Sequence, residues 1–135
     1  MPENIKPLLL KKAFKSLVRF VLASEHCICE TVNIYFCSDS EIRKYNKSYL
    51  KHDYETDIIT FNYSDSDGSE SDIIISLETV KRNSLAYKSS YLIELFRVVI
   101  HGILHLAGMD DNTKGKKALM RKRENYYLKT IGLLK

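Results

Sequence analysis

Apolar and polar residues follow one another along this chain with a period that predicts helices towards both ends. An amphipathic pattern near the N-terminus predicts a helix over residues 8–24. Ser38 and Glu41 have the spacing of a capping box, which predicts a second helix from there to about Tyr49. The C-terminal half keeps the helical spacing and predicts three further helices, at residues 77–88, 91–107 and 114–130. The second of these is apolar on most of its surface, so we expect it to be the central buried helix.

Three shorter segments have the pattern of β-strands. Residues Thr31–Cys37 alternate between apolar and polar side chains, as a half-buried strand does. Residues 57–63 and 72–76 are apolar runs on either side of an acidic, turn-rich stretch, which predicts a β-hairpin. The order of these elements predicts an α+β fold in which helices cover a small sheet.

Length and composition are typical of one globular domain. The chain has 135 residues, of which 44% are hydrophobic, and a net charge of +4, so we expect a single domain over residues 1–135. No apolar run approaches the roughly 20 residues that a membrane span needs, and lysines interrupt the N-terminal apolar stretch. The three cysteines are an odd number without metal-ligand spacing, which indicates free thiols in a reducing compartment. We therefore expect a cytoplasmic protein with no membrane partner.

The segment from His101 to Asp111, with the sequence HGILHLAGMDD, carries the clearest chemical signal. His101 and His105 are four residues apart on the predicted central helix and therefore share one of its faces. Gly108 predicts the end of the helix and a sharp turn, which would bring Asp110 or Asp111 back toward both imidazoles. Two histidines and one carboxylate around an open position form the ligand set of a catalytic zinc site.

Gly102 distinguishes this segment from the zinc motif of metalloproteases. Those enzymes have the order H-E-x-x-H, in which the glutamate is the general base. Gly102 takes the place of this glutamate. A zinc hydrolase acting on amide bonds is therefore disfavoured, although it stays an alternative.

The same segment resembles the H-G-x-L-H-L-x-G-x-D-H signature of the YbeY family, which are bacterial metal-dependent endoribonucleases of ribosomal RNA maturation. Thr56–Phe61 resembles the family's T-[DN]-V-L-S-F segment, and Asp72–Ser76 resembles its G-D-I-x-I-S strand. Asn46 and Asp53 also fall on family positions. The resemblance covers roughly residues 30–130.

The resemblance implies a mixed sheet of about four strands, although only three strand patterns are clear. A fourth strand would lie in residues 49–56 or near the N-terminus.

The resemblance also implies which residues hold the metal. His101, His105 and Asp111 would bind one zinc ion, or another divalent metal. Asp111 stands where the family has a third histidine, and a carboxylate is an accepted zinc ligand. Asp110 would orient a histidine N–H from outside the ligand shell. The reverse assignment, with Asp110 on the metal, stays open.

Leu50 stands where the family usually has an arginine. We hypothesise that Arg97 compensates for this loss, since it lies four residues before His101 and shares a helix face with both histidines. Arg97 would then join His101 and His105 as a catalytic residue and hold a phosphate. The alternative is an ion pair between Arg97 and Glu94.

A run of basic residues follows the metal motif and is our candidate RNA-binding surface. Tyr126 and Tyr127, close by, could stack on unpaired bases, but their helical spacing also suits packing against the core. A solvated helix face is the alternative interpretation of such a run. The residues assigned to RNA binding are Lys114, Lys116, Lys117 and Arg121.

The function that these features predict is a metal-dependent, single-strand-specific endoribonuclease of ribosomal RNA maturation and ribosome quality control. A zinc-activated water would attack the phosphodiester. The implied partners are RNA, as a 16S rRNA precursor or the small ribosomal subunit, and a small-subunit ribosomal protein. The alternative from another class is a ribosome-assembly factor that binds RNA or protein and whose metal is structural.

Overall fold

The computed structural model describes residues 7–27, 29, 31–51, 56–62 and 70–135. Within these ranges every predicted helix and strand is present, with ends within two residues of the predicted ones. In chain order the elements are α1 (Pro7–Ser24), β1 (Thr31–Cys37), α2 (Asp39–Leu50), β2 (Ile58–Asn62), β3 (Glu70–Ser76), α3 (Leu77–Ala86), α4 (Tyr91–Leu106) and α5 (Lys114–Thr130).

The three strands form one mixed sheet in the order β1-β3-β2. β1 runs parallel to β3, with Ile34 opposite Ile73, and β2 runs antiparallel to β3, with Ile58 opposite Ile75. The predicted hairpin and the α+β class with a small mixed sheet are thereby confirmed. Of the two places proposed for a fourth strand, the N-terminal one is helical from residue 7, and in the other residues 52–55 lie outside the described ranges.

β3 is apolar on both faces because it is the central strand of the sheet. Ile73 and Ile75 face the main core, which α1, α4 and α5 complete. Ile74 points to the opposite face, where it packs with Ile59 of β2 and Ile42 of α2. Successive side chains of a strand alternate between faces, so a central strand covered on both sides reads as a continuous apolar run.

α4 is the central buried helix, as predicted, and it contacts α1, α3, α5 and the sheet. Gly102 is buried on the face of α4 that lies against the sheet. A Cβ atom at this position would lie 2.7 Å from Ile58 Cδ1 and 3.2 Å from Ile73 Cγ2. The absence of a side chain at Gly102 therefore lets α4 pack directly on β2 and β3. The neighbouring face of α4, which carries the two histidines, is turned toward α5.

α1 is the amphipathic helix that the sequence predicts. Phe14, Leu17 and Val21 are buried in the main core, and the Phe14 ring lies 4.9 Å from that of Phe96 in α4. Among the described residues no single helix is long and apolar enough to cross a membrane; α3 and α4 pass such a test only as a pair, with a bend of 118° between them.

Candidate metal centre and adjoining cleft

The C-terminus of α4 ends in a hydrogen-bonded turn that sets the geometry of the site. Gly108 has φ of +97°, a left-handed conformation that glycine adopts without steric cost. The Gly108 N–H donates to the His105 carbonyl at 3.0 Å, and the Met109 N–H donates to the Leu104 carbonyl at 3.0 Å. This pair of bonds is a Schellman motif, which reverses the chain after the helix. The turn predicted at Gly108 thus brings Asp111 back beside the last turn of α4.

His101, His105 and Asp111 meet at this turn, with one possible ligand atom from each within 4.8 Å of the others. The His101 and His105 Nε2 atoms are 2.9 Å apart. The Asp111 carboxylate oxygens lie 3.4 Å from His101 Nε2 and 3.7 Å from His105 Nε2. Ligands about 2.0–2.2 Å from a tetrahedral zinc ion are about 3.3 Å from one another, so these spacings suit a shared cation.

The hydrogen bonds of the outer ring nitrogens decide which atoms the histidines offer. His101 Nδ1 lies 2.7 Å from Glu124 Oε2, and His105 Nδ1 lies 2.9 Å from the Met109 carbonyl. A carbonyl and a carboxylate only accept, so we assign the proton of each neutral ring to Nδ1. Both Nε2 lone pairs then point at each other, an arrangement that a cation relieves. The donor set therefore fits a divalent metal.

Glu124 is the residue of this site that the sequence interpretation missed. The sequence predicted that Asp110 orients a histidine N–H. This prediction is wrong, because the Asp110 side chain is 66% exposed and lies 3.9 Å from Lys116 Nζ instead. Glu124 is only 4% exposed and reaches His101 from α5. One signal for it was available: Glu124 interrupts the apolar stripe of α5 between Met120 and Leu128, where an unpaired acid would be costly.

The negative charges around His101 affect its pKa. Burial, the largest single influence, lowers the pKa of His101, but the hydrogen bond that His101 donates to Glu124 and the charges of Glu124, Asp111 and Asp57 together raise it above its ordinary value. Burial in turn raises the pKa of the Asp57 carboxyl, against the opposing charge of His101. Asp57 lies in the segment Thr56–Phe61, for which the sequence suggested no role. A metal at this site has to compete with a proton for His101.

Arg97 is buried and bonded to protein carboxylates and an amide. Its Nη1 donates to Asn125 Oδ1 at 2.8 Å and to Glu124 Oε1 at 3.3 Å, and its Nε lies 3.7 Å from Glu94 Oε1. The ion-pair alternative therefore describes the observed contacts, and the network is wider than the single Glu94 partner considered. A phosphate contact of Arg97 stays a prediction.

An open cavity of about 330 Å³ extends from His101 between α3 and α5. Of the four cations assigned to RNA, Lys117 and Arg121 line this cavity. Lys114 and Lys116 precede this part of α5 and are exposed outside the lining. The structure thus separates two cations of the cleft from two beside it.

The tyrosines of α5 lie away from the cavity. Tyr127 is buried, its hydroxyl donates to Glu25, and its ring meets Phe20 edge-on at 5.8 Å between centroids. Tyr126 is exposed on the helix face opposite the cavity lining, and within the described ranges its ring contacts that of Tyr127 alone, edge-on. Packing is therefore the observed role of Tyr127.

Comparison with known proteins places this site in a family. The family model described as Endoribonuclease YbeY matches residues 3–132. The chain belongs to the YbeY family. A relative named Endoribonuclease YbeY from Chloroherpeton thalassium is 38% identical over 129 residues, covering 96% of this chain and 92% of the relative. One of the same name from Bacteroides fragilis is 42% identical over 124 residues, covering 91% and 89%.

A solved structure supports the YbeY assignment at the level of the fold. The solution structure of a Thermotoga maritima protein matches with a TM-score of 0.62 and 28% identity, covering 94% of this chain and 87% of the other. The helices and the mixed sheet described above are thus shared with a relative that is distant in sequence.

Proposed function

We propose that this chain is a metal-dependent, single-strand-specific endoribonuclease of ribosomal RNA maturation and ribosome quality control. Endoribonuclease activity follows from membership of the YbeY family. The observation that carries the metal dependence is the convergence of two Nε2 atoms and one carboxylate on one point at the wall of an open cleft. The substrate would be a 16S rRNA precursor or the small ribosomal subunit, with a small-subunit ribosomal protein as a further partner, in the cytoplasm.

His101, His105 and Asp111 would hold the metal, and zinc is the ion we propose. A divalent metal bound there supplies Lewis acidity at the phosphate and lowers the pKa of a coordinated water to about 7. Asp111 adds a negative charge that a third histidine would not, which favours harder divalent metals as alternatives.

The protein's own groups orient the ligands and bind the substrate. Glu124 and the Met109 carbonyl hold the Nδ1 protons, so that both rings turn their Nε2 atoms inward. Lys117 and Arg121 at the cleft, with Lys114 and Lys116 beside it, would bind the RNA backbone. Arg97 would hold Glu124 in place, and it would reach a phosphate only through the side that lines the cavity.

The amide-hydrolase alternative is disfavoured by packing as well as by sequence. A glutamate at the position of Gly102 would point at Ile58 and Ile73 of the sheet, away from the ligand cluster. This helix position therefore offers no place for a general base.

The test is cleavage of a single-stranded RNA by the purified chain as isolated, after chelation and after zinc is restored. We expect cleavage to disappear and return with the metal. Asp111→Asn should lose both metal and activity. Asp110→Asn is the matched control and should keep both, because the Asp110 carboxylate lies beside Lys116. Metal binding without cleavage in any state would favour the assembly factor instead.

A further inference from the structure

The cavity beside the metal cluster has a wall that the proposed function does not use. This wall is formed by Val80 and Asn83 of α3 and by Tyr87, the residue that follows the helix; they are three and four residues apart and so lie on one side. Opposite them stand Lys117 and Arg121 of α5. At about 330 Å³ the cavity lies at the lower end of the range of small-ligand sites, roughly 300–1,000 Å³.

Tyr87 supplies the aromatic ring of this wall. Its side chain is 62% exposed, and within the described part of the chain it has neither a hydrogen bond nor a ring contact. Asn83 is half-buried one turn earlier, and its side-chain amide likewise has no hydrogen-bond partner among the described residues. An aromatic face and a free amide on one wall form a surface on which a nucleobase can stack and be hydrogen-bonded.

The charges of the cavity are divided between its floor and its rim. At the floor, Glu94 and Glu124 are buried and share Arg97. At the rim, Lys117 and Arg121 are exposed and have no ion-pair partner among the described residues. An anion entering the cleft would therefore meet two free cations before it meets Glu94 and Glu124, while Asp111, 37% exposed, lies among the candidate metal ligands.

We propose that this cavity is a subsite for one unpaired nucleotide next to the cleaved phosphate. The base stacks on Tyr87 with its edge toward Asn83, and the adjoining phosphate lies between Lys117 and Arg121. This assignment rests on the proposed function, since it places the bound RNA relative to the His101–His105–Asp111 cluster. A base held in this way has to leave its helix, so the subsite accepts unpaired RNA only.

The experiment measures the dissociation constant of the full chain, with metal removed, for a labelled single-stranded RNA decamer. Tyr87→Ala should bind about 5- to 150-fold more weakly, the range that one lost base–aromatic stack gives. Tyr87→Phe should bind like the wild type, because the ring remains. Tyr126→Ala is the matched control and should also bind like the wild type, because this exposed tyrosine lies outside the cavity. Thermal melting of each variant checks that it folds.

A series of decamers, each with one base removed, tests the stack directly. We expect one abasic position to weaken wild-type binding, and the same position to have no effect on Tyr87→Ala. Lys117→Ala and Arg121→Ala should weaken binding of every decamer. Each should also reduce the slope of log affinity against log salt concentration by about 1, as the loss of one phosphate contact does.

The outcomes separate the subsite from the proposed function. If Tyr87→Ala bound the decamer with the affinity of the wild type, and the chain cleaved RNA with metal, the subsite alone would be overturned. An absence of metal-dependent cleavage would overturn the proposed function, whereas the binding series would still decide for or against the subsite.

Discussion

The two histidines of the metal centre are held by different parts of the molecule. His105 is held from within its own turn, by the carbonyl of Met109 four residues further along. His101 is held across the fold, by a buried carboxylate on α5 that is 23 residues away. Glu124 in turn is bonded to Arg97, so the second support is a network rather than a single bond.

This difference separates a local support from a tertiary one. The His105 side depends on backbone geometry at Gly108, which no side-chain substitution at Met109 can remove. The His101 side depends on three buried side chains, those of Glu94, Arg97 and Glu124. Each of them is costly when it loses its partner. We therefore expect the His101 side to be the more sensitive of the two.

Glu124→Ala should have the largest effect. It leaves Arg97 buried without its strongest carboxylate, which should cost about 3–5 kcal/mol of unfolding free energy. It also frees the His101 ring, so zinc affinity should fall about 10- to 100-fold. Urea unfolding and zinc competition titration measure the two effects.

Glu124→Gln is the control for charge against shape. Its amide oxygen can still accept from His101 Nδ1, so zinc affinity should stay closer to that of the wild type. If Glu124→Ala unfolded at the wild-type urea concentration, the buried network would contribute little to stability.

Arg97→Lys should have the next largest effect and lower the free energy of unfolding by about 2 kcal/mol. A lysine keeps the charge but cannot reach Glu94, Glu124 and Asn125 together, because it lacks the planar fork of the guanidinium. Urea unfolding measures the loss. If RNA affinity and cleavage by folded Arg97→Ala matched those of the wild type, the predicted phosphate contact of Arg97 would be wrong.

Gly108→Ala tests the His105 side and should cost about 1–2 kcal/mol. An added Cβ meets nothing within 4 Å, so the cost comes from the left-handed backbone alone. Gly115→Ala is the matched control, since Gly115 also has open space but lies in the first turn of α5. It should stabilise the protein by about 0.5 kcal/mol. Equal effects at the two glycines would argue against a strained turn.

Asp39 shows what a carboxylate–arginine pair does nearer the surface, where Arg82 is 53% exposed and solvent screening makes the effect the smallest of this series. Hydrogen bonds from Arg82, and then from Thr79 and Ser76, lower the pKa of Asp39 to about 2 despite its partial burial. A carboxyl with a lowered pKa stabilises the folded state when ionised. Its contribution is fully present above the unfolded value of about 4 and is lost as the pH falls through about 2.

We therefore expect metal-free Asp39→Asn to be less stable than the wild type at pH 5, and the gap to close between about pH 4 and pH 2. Urea unfolding across this range measures the gap. A constant difference at all pH values would mean that Asp39 does not titrate with folding.

Most of the fold could be predicted from the sequence because its signals are local. The capping box at Ser38 starts α2 as predicted, with both reciprocal hydrogen bonds formed. The apolar run of β3 and the amphipathic pattern of α1 also gave the right elements, since side-chain periodicity follows from backbone geometry. The four cations after the metal motif were harder, because helical spacing does not tell which of them face the cleft.

The sequence by itself determined the two histidines, the turn at Gly108 and the return of an aspartate, because all of these lie within one helix end. Only the tertiary structure decided that Glu124, not Asp110, holds His101. It also decided that Gly102 lies against side chains of the sheet and that Arg97 is bonded to buried acids. The physical reason is that local geometry sets the places of residues one turn apart. The packing of α4 against α5 and the sheet decides which distant side chains reach them.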